Sequence, residues 1–324
     1  MSMKKWWLAT VGFTICLVII LGSFNPLSAE IFPQIYVFGD SLSDVGNVYQ
    51  ATNGDNPPNP PYFKGRYSNG PVWVEYLASR LKLTVNVEND FAYGGAKTGD
   101  SQQLPPGVLA QIQRFKAKNS TANTKALYII WAGANDYLGG ATDTTVPINN
   151  LATAVKRLAE IGAKNIVLVN LPDLGKLPGT RTTERAKILS SLTQNHNLGL
   201  ATSVKSLRQQ FGDINIRYLD VNALFNQVYN YPGKYGLNNV TQPCYRGGIV
   251  CDRPNEFLFW DGIHPSTAGH KLLVQLASPQ LKATSKSAAN SSNKLVLPLS
   301  ILIFTVLAIG LIMWNQRNRI GNSY

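Results

Sequence analysis

The chain has 324 residues, 44% of them hydrophobic, with a formal net charge of +12. This length and apolar content suffice for a sizeable buried core and exclude a disordered or low-complexity chain. The basic residues are scattered and lack an aromatic–basic platform, so the charge reads as a basic solvated surface, compatible with an anionic membrane or acidic polysaccharide, and does not support nucleic-acid binding.

Residues 1–29 place Lys4 and Lys5 before an apolar run from Leu8 to Leu21 and end in small residues, the layout of a secretory signal. Leu27 stands where a small residue is preferred before the Ala29 junction, which leaves open cleavage nearer Ser23 and an uncleaved N-terminal anchor. Residues 33–281 form one domain in which apolar, β-branched runs alternate with helical patterns. The strand candidates are 35–38, 84–87 (the weakest), 127–131, 166–170 and 214–219. Helical spacing covers 72–81, 108–118, 148–161, 184–210 and 266–276; Leu151, Ala154, Val155, Leu158 and Ile161 illustrate it. Such alternation predicts an α/β fold with a central parallel sheet covered on both faces. The Pro-rich stretch from Asn53 to Pro61 reads as a loop on the rim of a cleft, with Tyr62, Phe63, Tyr67 and Trp73 as cleft-lining aromatics.

Of three cysteines, Cys16 lies in the apolar leader; Cys244 and Cys251 remain as an even pair in an exported chain, which predicts a disulfide. Residues 282–294, rich in Ser, Ala, Asn and Lys, read as a flexible linker. Residues 295–314 carry no charge. At a rise of ~1.5 Å per residue such a segment spans about 30 Å, the thickness of a bilayer core. Pro298 falls in its first turn, where a missing N–H costs least. Arg317 and Arg319 lie in the acid-free tail 315–324, which the positive-inside tendency places in the cytoplasm, with the domain outside.

The chemistry concentrates in four blocks. Gly39-Asp40-Ser41-Leu42 follows the first strand directly, and Asp261-Gly262-Ile263-His264-Pro265 puts a carboxylate three residues before an imidazole. Ser, His and Asp are the components of a nucleophilic acyl-transfer site: Ser41 the nucleophile, His264 the general base, Asp261 the group that fixes its tautomer. Phe91-Ala92-Tyr93-Gly94-Gly95-Ala96 offers a backbone N–H to an oxyanion, from Gly95 or alternatively Gly94, and Asn135 in Gly133-Ala134-Asn135-Asp136 offers a side-chain amide. Asp136 is expected to cap or brace that loop. Ser41 and Asn135 both follow strands within a few residues and so reach the carboxyl edge of the sheet, where ligands bind. His196, in the polar stretch Gln194-Asn195-His196-Asn197, is expected in solvent, and His270 at the surface or in packing. Asp40 and Asp44 lack a third ligand for a metal, and neither a phosphate loop nor a Gly-x-Ser-x-Gly elbow is present.

These four blocks, in this order, resemble the GDSL esterase/lipase family, the SGNH hydrolases; Val37-Phe38-Gly39-Asp40-Ser41-Leu42-Ser43-Asp44 with Gly46-Asn47 matches the first family block, and Leu171-Pro172-Asp173-Leu174-Gly175 is similar to a further segment. Val45 stands where the family often has Thr. The resemblance implies a flavodoxin-like three-layer α/β/α sandwich of about five parallel strands. It also implies ester hydrolysis through an acyl-serine, without metal or organic cofactor, with the Ser41 and Gly95 N–H groups and the Asn135 amide as oxyanion hole. Joined to the leader and the apolar segment, the expectation is an exported, cell-surface, membrane-anchored serine esterase or lipase, with release from the anchor left open. Its substrate is a lipid acyl ester or, alternatively, an acetylated glycan; a former hydrolase that binds glycan or lipid is the rival of another class.

Overall fold

The computed structural model describes residues 32–282. The leader, the linker beyond Lys282, the apolar segment and the basic tail lie outside the described residues. No helix among the described residues is long and apolar enough to cross a membrane.

Four strands, β1 (Ile35–Gly39), β2 (Leu127–Trp131), β3 (Asn165–Val169) and β4 (Asn215–Leu219), form one parallel sheet in the order β1-β2-β3-β4. Ile35 pairs with Leu127, Leu127 with Asn165, and Asn165 with Asn215, so the strands start level and end together at one carboxyl edge. Their residues are mostly apolar on both faces because both faces are covered. Ile35, Val37, Ile129, Trp131, Val167 and Val169 point into one core with the helices α2 (Trp73–Leu81) and α8 (Thr267–Lys282). Phe38, Tyr128, Ile130, Ile166 and Leu168 point into a second core with α3 (Val108–Lys118), α5 (Thr145–Glu160) and α6 (Ala186–Gln210). The helix stripe Leu151, Ala154, Val155 and Leu158 is fully buried in that second core.

The sheet has four strands among the described residues, not about five. Residues 84–87 are not a strand. The side chains of Asn86 and Asn89 take over the local backbone: Asn86 N–H donates to Asn89 Oδ1, Glu88 N–H to Asn86 Oδ1, and Asn89 Nδ2 to Thr84 O. Such Asx turns compete with a sheet ladder. What remains of the edge is a single parallel bridge between Val37 and Asp90, on the side of β1 away from β2. This is the position of the second strand in a flavodoxin-like order.

Three short helices were not legible in the sequence: α1 (Asn47–Ala51), α4 (Ala134–Leu138) and α7 (Val221–Asn230). Nor was a small second layer near the end of the domain. There β5 (Asn239–Pro243) pairs in parallel with β8 (Phe257–Phe259), and a hairpin of β6 (Tyr245–Arg246) and β7 (Ile249–Val250) lies between them in sequence. A Cys244–Cys251 disulfide closes the hairpin.

Candidate active site

β1 ends in a tight turn in which Asp40 O accepts the N–H groups of Ser43 and Asp44 at 3.0 and 3.1 Å. Gln111 of α3, fully buried, clamps the turn's entrance: its Oε1 accepts Gly39 N–H at 2.9 Å and its Nε2 donates to Gly39 O at 2.8 Å. Ser41 thereby presents its hydroxyl at the carboxyl edge of the sheet. Asp44, three residues on, holds the start of α1: its carboxylate accepts the N–H groups of Gly46, Asn47 and Val48, and that of Gly94 besides.

The Asp261–His264 loop leaves β8 and meets this turn from the other end of the chain. Ser41 Oγ lies 2.8 Å from His264 Nε2, and His264 Nδ1 lies 2.7 Å from Asp261 Oδ2. The other carboxylate oxygen, Oδ1, accepts the N–H groups of Ile263 and His264 at 2.9 and 2.8 Å. Burial alone would raise the Asp261 carboxyl; the His264 imidazole and these N–H donors outweigh it and lower the group to about 2. Tyr62 adds a donor the sequence did not reveal: its hydroxyl reaches Asp261 Oδ2 at 2.8 Å. Burial, and then the charge of Asp261, push that phenol up, so it stays a donor. Tyr67 packs its ring against His264, with centroids 5.2 Å apart.

Gly94 and Gly95 have different roles. Gly94 N–H donates to Asp44 Oδ2 at 2.8 Å, and a side chain there would meet the Tyr67 ring at 2.2 Å. Gly95 has φ +81°, a conformation open to glycine. Among the described residues neither its N–H nor that of Ser41 has an acceptor. Asn135, in the first turn of α4, anchors its Nδ2 on Ala96 O at 3.0 Å, next to Gly95. Asp136 braces the same loops by accepting Thr98 N–H and Oγ1–H at 3.1 and 2.8 Å. Ser41, Asn135 and His264 line one pocket, open at its mouth; Leu138, Leu174, Leu177, Phe225, Phe259 and Ile263 make the rest of its lining largely apolar. The turn is acid-rich as well: burial raises Asp40 to about 7, against the Leu42 N–H and His264, and burial also raises Asp44 and Asp90. No group of three or more metal-ligating side chains occurs among the described residues.

The expectations about the four cleft aromatics and one histidine need correction. Trp73 does not line the cleft: it is fully buried in the first core, edge-on to Trp131, with its Nε1 donating to Ser43 Oγ at 3.0 Å. Tyr62, Phe63 and Tyr67 lie outside the pocket lining as well: Tyr62 bonds Asp261, Tyr67 packs on His264, and Phe63 has the cations of Lys64 and Arg66 over its ring. His196 is not in solvent; it is fully buried, bonded through Nδ1 to the Tyr137 hydroxyl at 2.7 Å, with no partner for Nε2. Burial lowers it to about 4. His270 is equally buried, which leaves packing of its two expected roles.

The model of the GDSL-like lipase/acylhydrolase family matches residues 35–277, and the chain belongs to that family. It is 29% identical over 319 residues to a phosphatidylcholine-sterol acyltransferase of Aeromonas hydrophila, covering 90% of each chain. It is also 29% identical over 265 residues to the thermolabile hemolysin of Vibrio parahaemolyticus, covering 75% of this chain and 62% of that one. Among solved structures it is similar to a Mycobacterium smegmatis aryl esterase, with 15% identity, a TM-score of 0.47 and coverage of 76% of this chain and 97% of the other.

Proposed function

We propose that the protein is an exported, membrane-anchored serine lipase acting on lipid acyl esters, with Ser41, His264 and Asp261 as its triad. Its hydroxyl–imidazole–carboxylate hydrogen-bonded chain is the observation that carries the mechanism. His264 Nε2 takes the Ser41 proton as Oγ attacks the acyl carbonyl. The resulting oxyanion is held by the Ser41 and Gly95 N–H groups and the Asn135 amide. The C–O bond to the alcohol breaks, His264 returns its proton to the departing oxygen, and water repeats the sequence on the acyl-serine. Asp261, charged and held by its own loop, stabilises the imidazolium between the two proton transfers.

The apolar lining of the pocket supports a hydrocarbon acyl chain over an acetyl group. The name of the Aeromonas relative, a phosphatidylcholine-sterol acyltransferase, supports a lipid ester as well. Residues 1–29 as export signal, 282–294 as linker, 295–314 as anchor and 315–324 as cytoplasmic tail complete the proposal and bring the site next to a bilayer; deletion of 295–324 is expected to release the domain from the membrane fraction into the medium.

Hydrolysis of p-nitrophenyl esters from acetyl to palmitoyl by the full-length protein, beside Ser41→Ala, tests the reading. Activity is expected to vanish in the variant and to favour medium and long chains. Activity that survives Ser41→Ala rejects the serine mechanism, and a profile confined to acetyl rejects the lipid in favour of an acetylated glycan.

A further inference from the structure

Next to the acyl pocket lies a second recess that shares none of its lining residues. Arg181, Thr182, Thr241, Gln242, Tyr245 and Arg246 line it, together with the backbone of Gly179 and Gly262. Its lining contains no carboxylate. Neither guanidinium has a side-chain hydrogen bond or ion pair among the described residues. Two cations and several neutral donors around one acid-free recess suit a tetrahedral oxyanion with several acceptor oxygens.

Both arginine-bearing segments are tied to the loop of Asp261 and His264. Gly179 N–H donates to Gly262 O at 2.7 Å, which fixes the segment that continues to Arg181. The hairpin of Arg246 hangs from the residues just before Asp261: Cys244 N–H donates to Phe259 O at 3.1 Å and Tyr245 N–H to Trp260 O at 2.6 Å. The disulfide closes the base of that hairpin. Leu174, Leu177, Ile263 and His264 line the acyl pocket, while Gly179 and Gly262 of the same two segments line the recess. With the acyl chain in the pocket, the alcohol side of the ester is the part left to face these two shared segments and, through them, the recess. The hairpin also exposes Ile249 (74%) and Val250 (41%) beside Arg246, an apolar tip that points to a phosphate carried at a lipid surface rather than a free ion.

We propose that the recess binds the phosphate on the alcohol side of a glycerophospholipid, so that Arg181 and Arg246 select phospholipid esters over phosphate-free acyl esters. This rests on the lipid-ester reading above. The test uses the full-length protein and the double variant Arg181→Gln/Arg246→Gln on phosphatidylglycerol and on diacylglycerol of the same chains, each in neutral-detergent mixed micelles. The ratio of kcat/KM for phosphatidylglycerol over diacylglycerol is expected to fall about tenfold in the variant, the scale of lost charge-assisted hydrogen bonds. Because both substrates report on the same folded molecules, a general loss of activity cancels in the ratio, and an unchanged ratio overturns the lipid assignment. A second arm titrates inorganic phosphate into Ser41→Ala protein, with and without the two arginine substitutions, by phosphorus NMR. Arginine-dependent binding supports the site, and no binding to the protein with both arginines overturns it. Arginine-dependent binding with an unchanged ratio assigns the recess to free phosphate instead. If no acyl ester is hydrolysed in a Ser41-dependent way, the lipid-ester reading fails, and the phosphate titration alone decides the recess.

Discussion

His264 and His196 are both buried, yet the protein builds opposite environments around them. His264 sits between a carboxylate at 2.7 Å and a serine hydroxyl at 2.8 Å, on a pocket wall. His196 has only the Tyr137 hydroxyl, no charge partner, and an unpartnered Nε2. Burial without a counter-charge makes an imidazole a neutral packing group, whereas a carboxylate on the far nitrogen lets it carry a proton during a reaction. His196 also lies under the site: a side chain on Gly133, the residue before α4, would come within 3.1 Å of its Cε1. In the proposed mechanism His264 moves the protons, while His196 packs beneath the turn that carries Asn135.

The widest separation of the two comes from removing each in turn. His264→Ala is expected to lower kcat at least about 10⁴-fold, the scale for losing a triad base. His196→Asn, which keeps an acceptor for Tyr137, is expected to stay within about tenfold of wild type, as for a support lying behind the site. Comparable losses in an ester-hydrolysis assay would erase the distinction. Asn135→Ala comes next, with kcat expected to fall about 10²–10³-fold at nearly constant KM, the usual cost of one oxyanion donor. A wild-type kcat would remove Asn135 from the oxyanion hole.

The sequence displays the four strands almost to the residue, because strands buried on both faces are apolar at most positions, with Asn165, Asn215 and Arg217 as exceptions. Residues 84–87 mislead because two asparagines outcompete the ladder, a contest that a propensity pattern does not register. The Asp261–His264 pair is legible because its partners are three residues apart. Tyr62 on Asp261 and Gln111 on Gly39 are not, since 199 and 72 residues separate them and only the folded sheet brings them together. Gln111 did leave a trace as the lone polar residue in Val108-Leu109-Ala110-Gln111-Ile112. The burial of His196 was likewise encoded. It falls on the stripe Leu189, Leu192, His196, Leu200, Val204 and Leu207 of α6, and its polar neighbours Asn195 and Asn197 obscured that helical period.

The effect least visible in catalysis is the pH dependence that His196 gives to folding. Burial lowers it to about 4 from an ordinary 6.5, so between those values the unfolded chain binds a proton that the folded chain refuses. Stability linked to this group is fully present above pH 6.5 and is lost as pH falls towards 4. At ~1.4 kcal/mol per pH unit the loss reaches about 3 kcal/mol. The buried acids oppose it: Asp40, raised to about 7, costs stability as pH rises through the same range, so the wild-type profile alone does not isolate the histidine. The difference between wild type and His196→Asn does, because the acids are common to both. The variant is expected to be less stable at pH 7 through the cavity it leaves, and its deficit is expected to shrink as pH falls. Urea unfolding at a series of pH values reads this directly. A deficit that stays constant from pH 7 to pH 4 would mean that His196 accepts a proton in place, and that a further group, not burial alone, sets its charge.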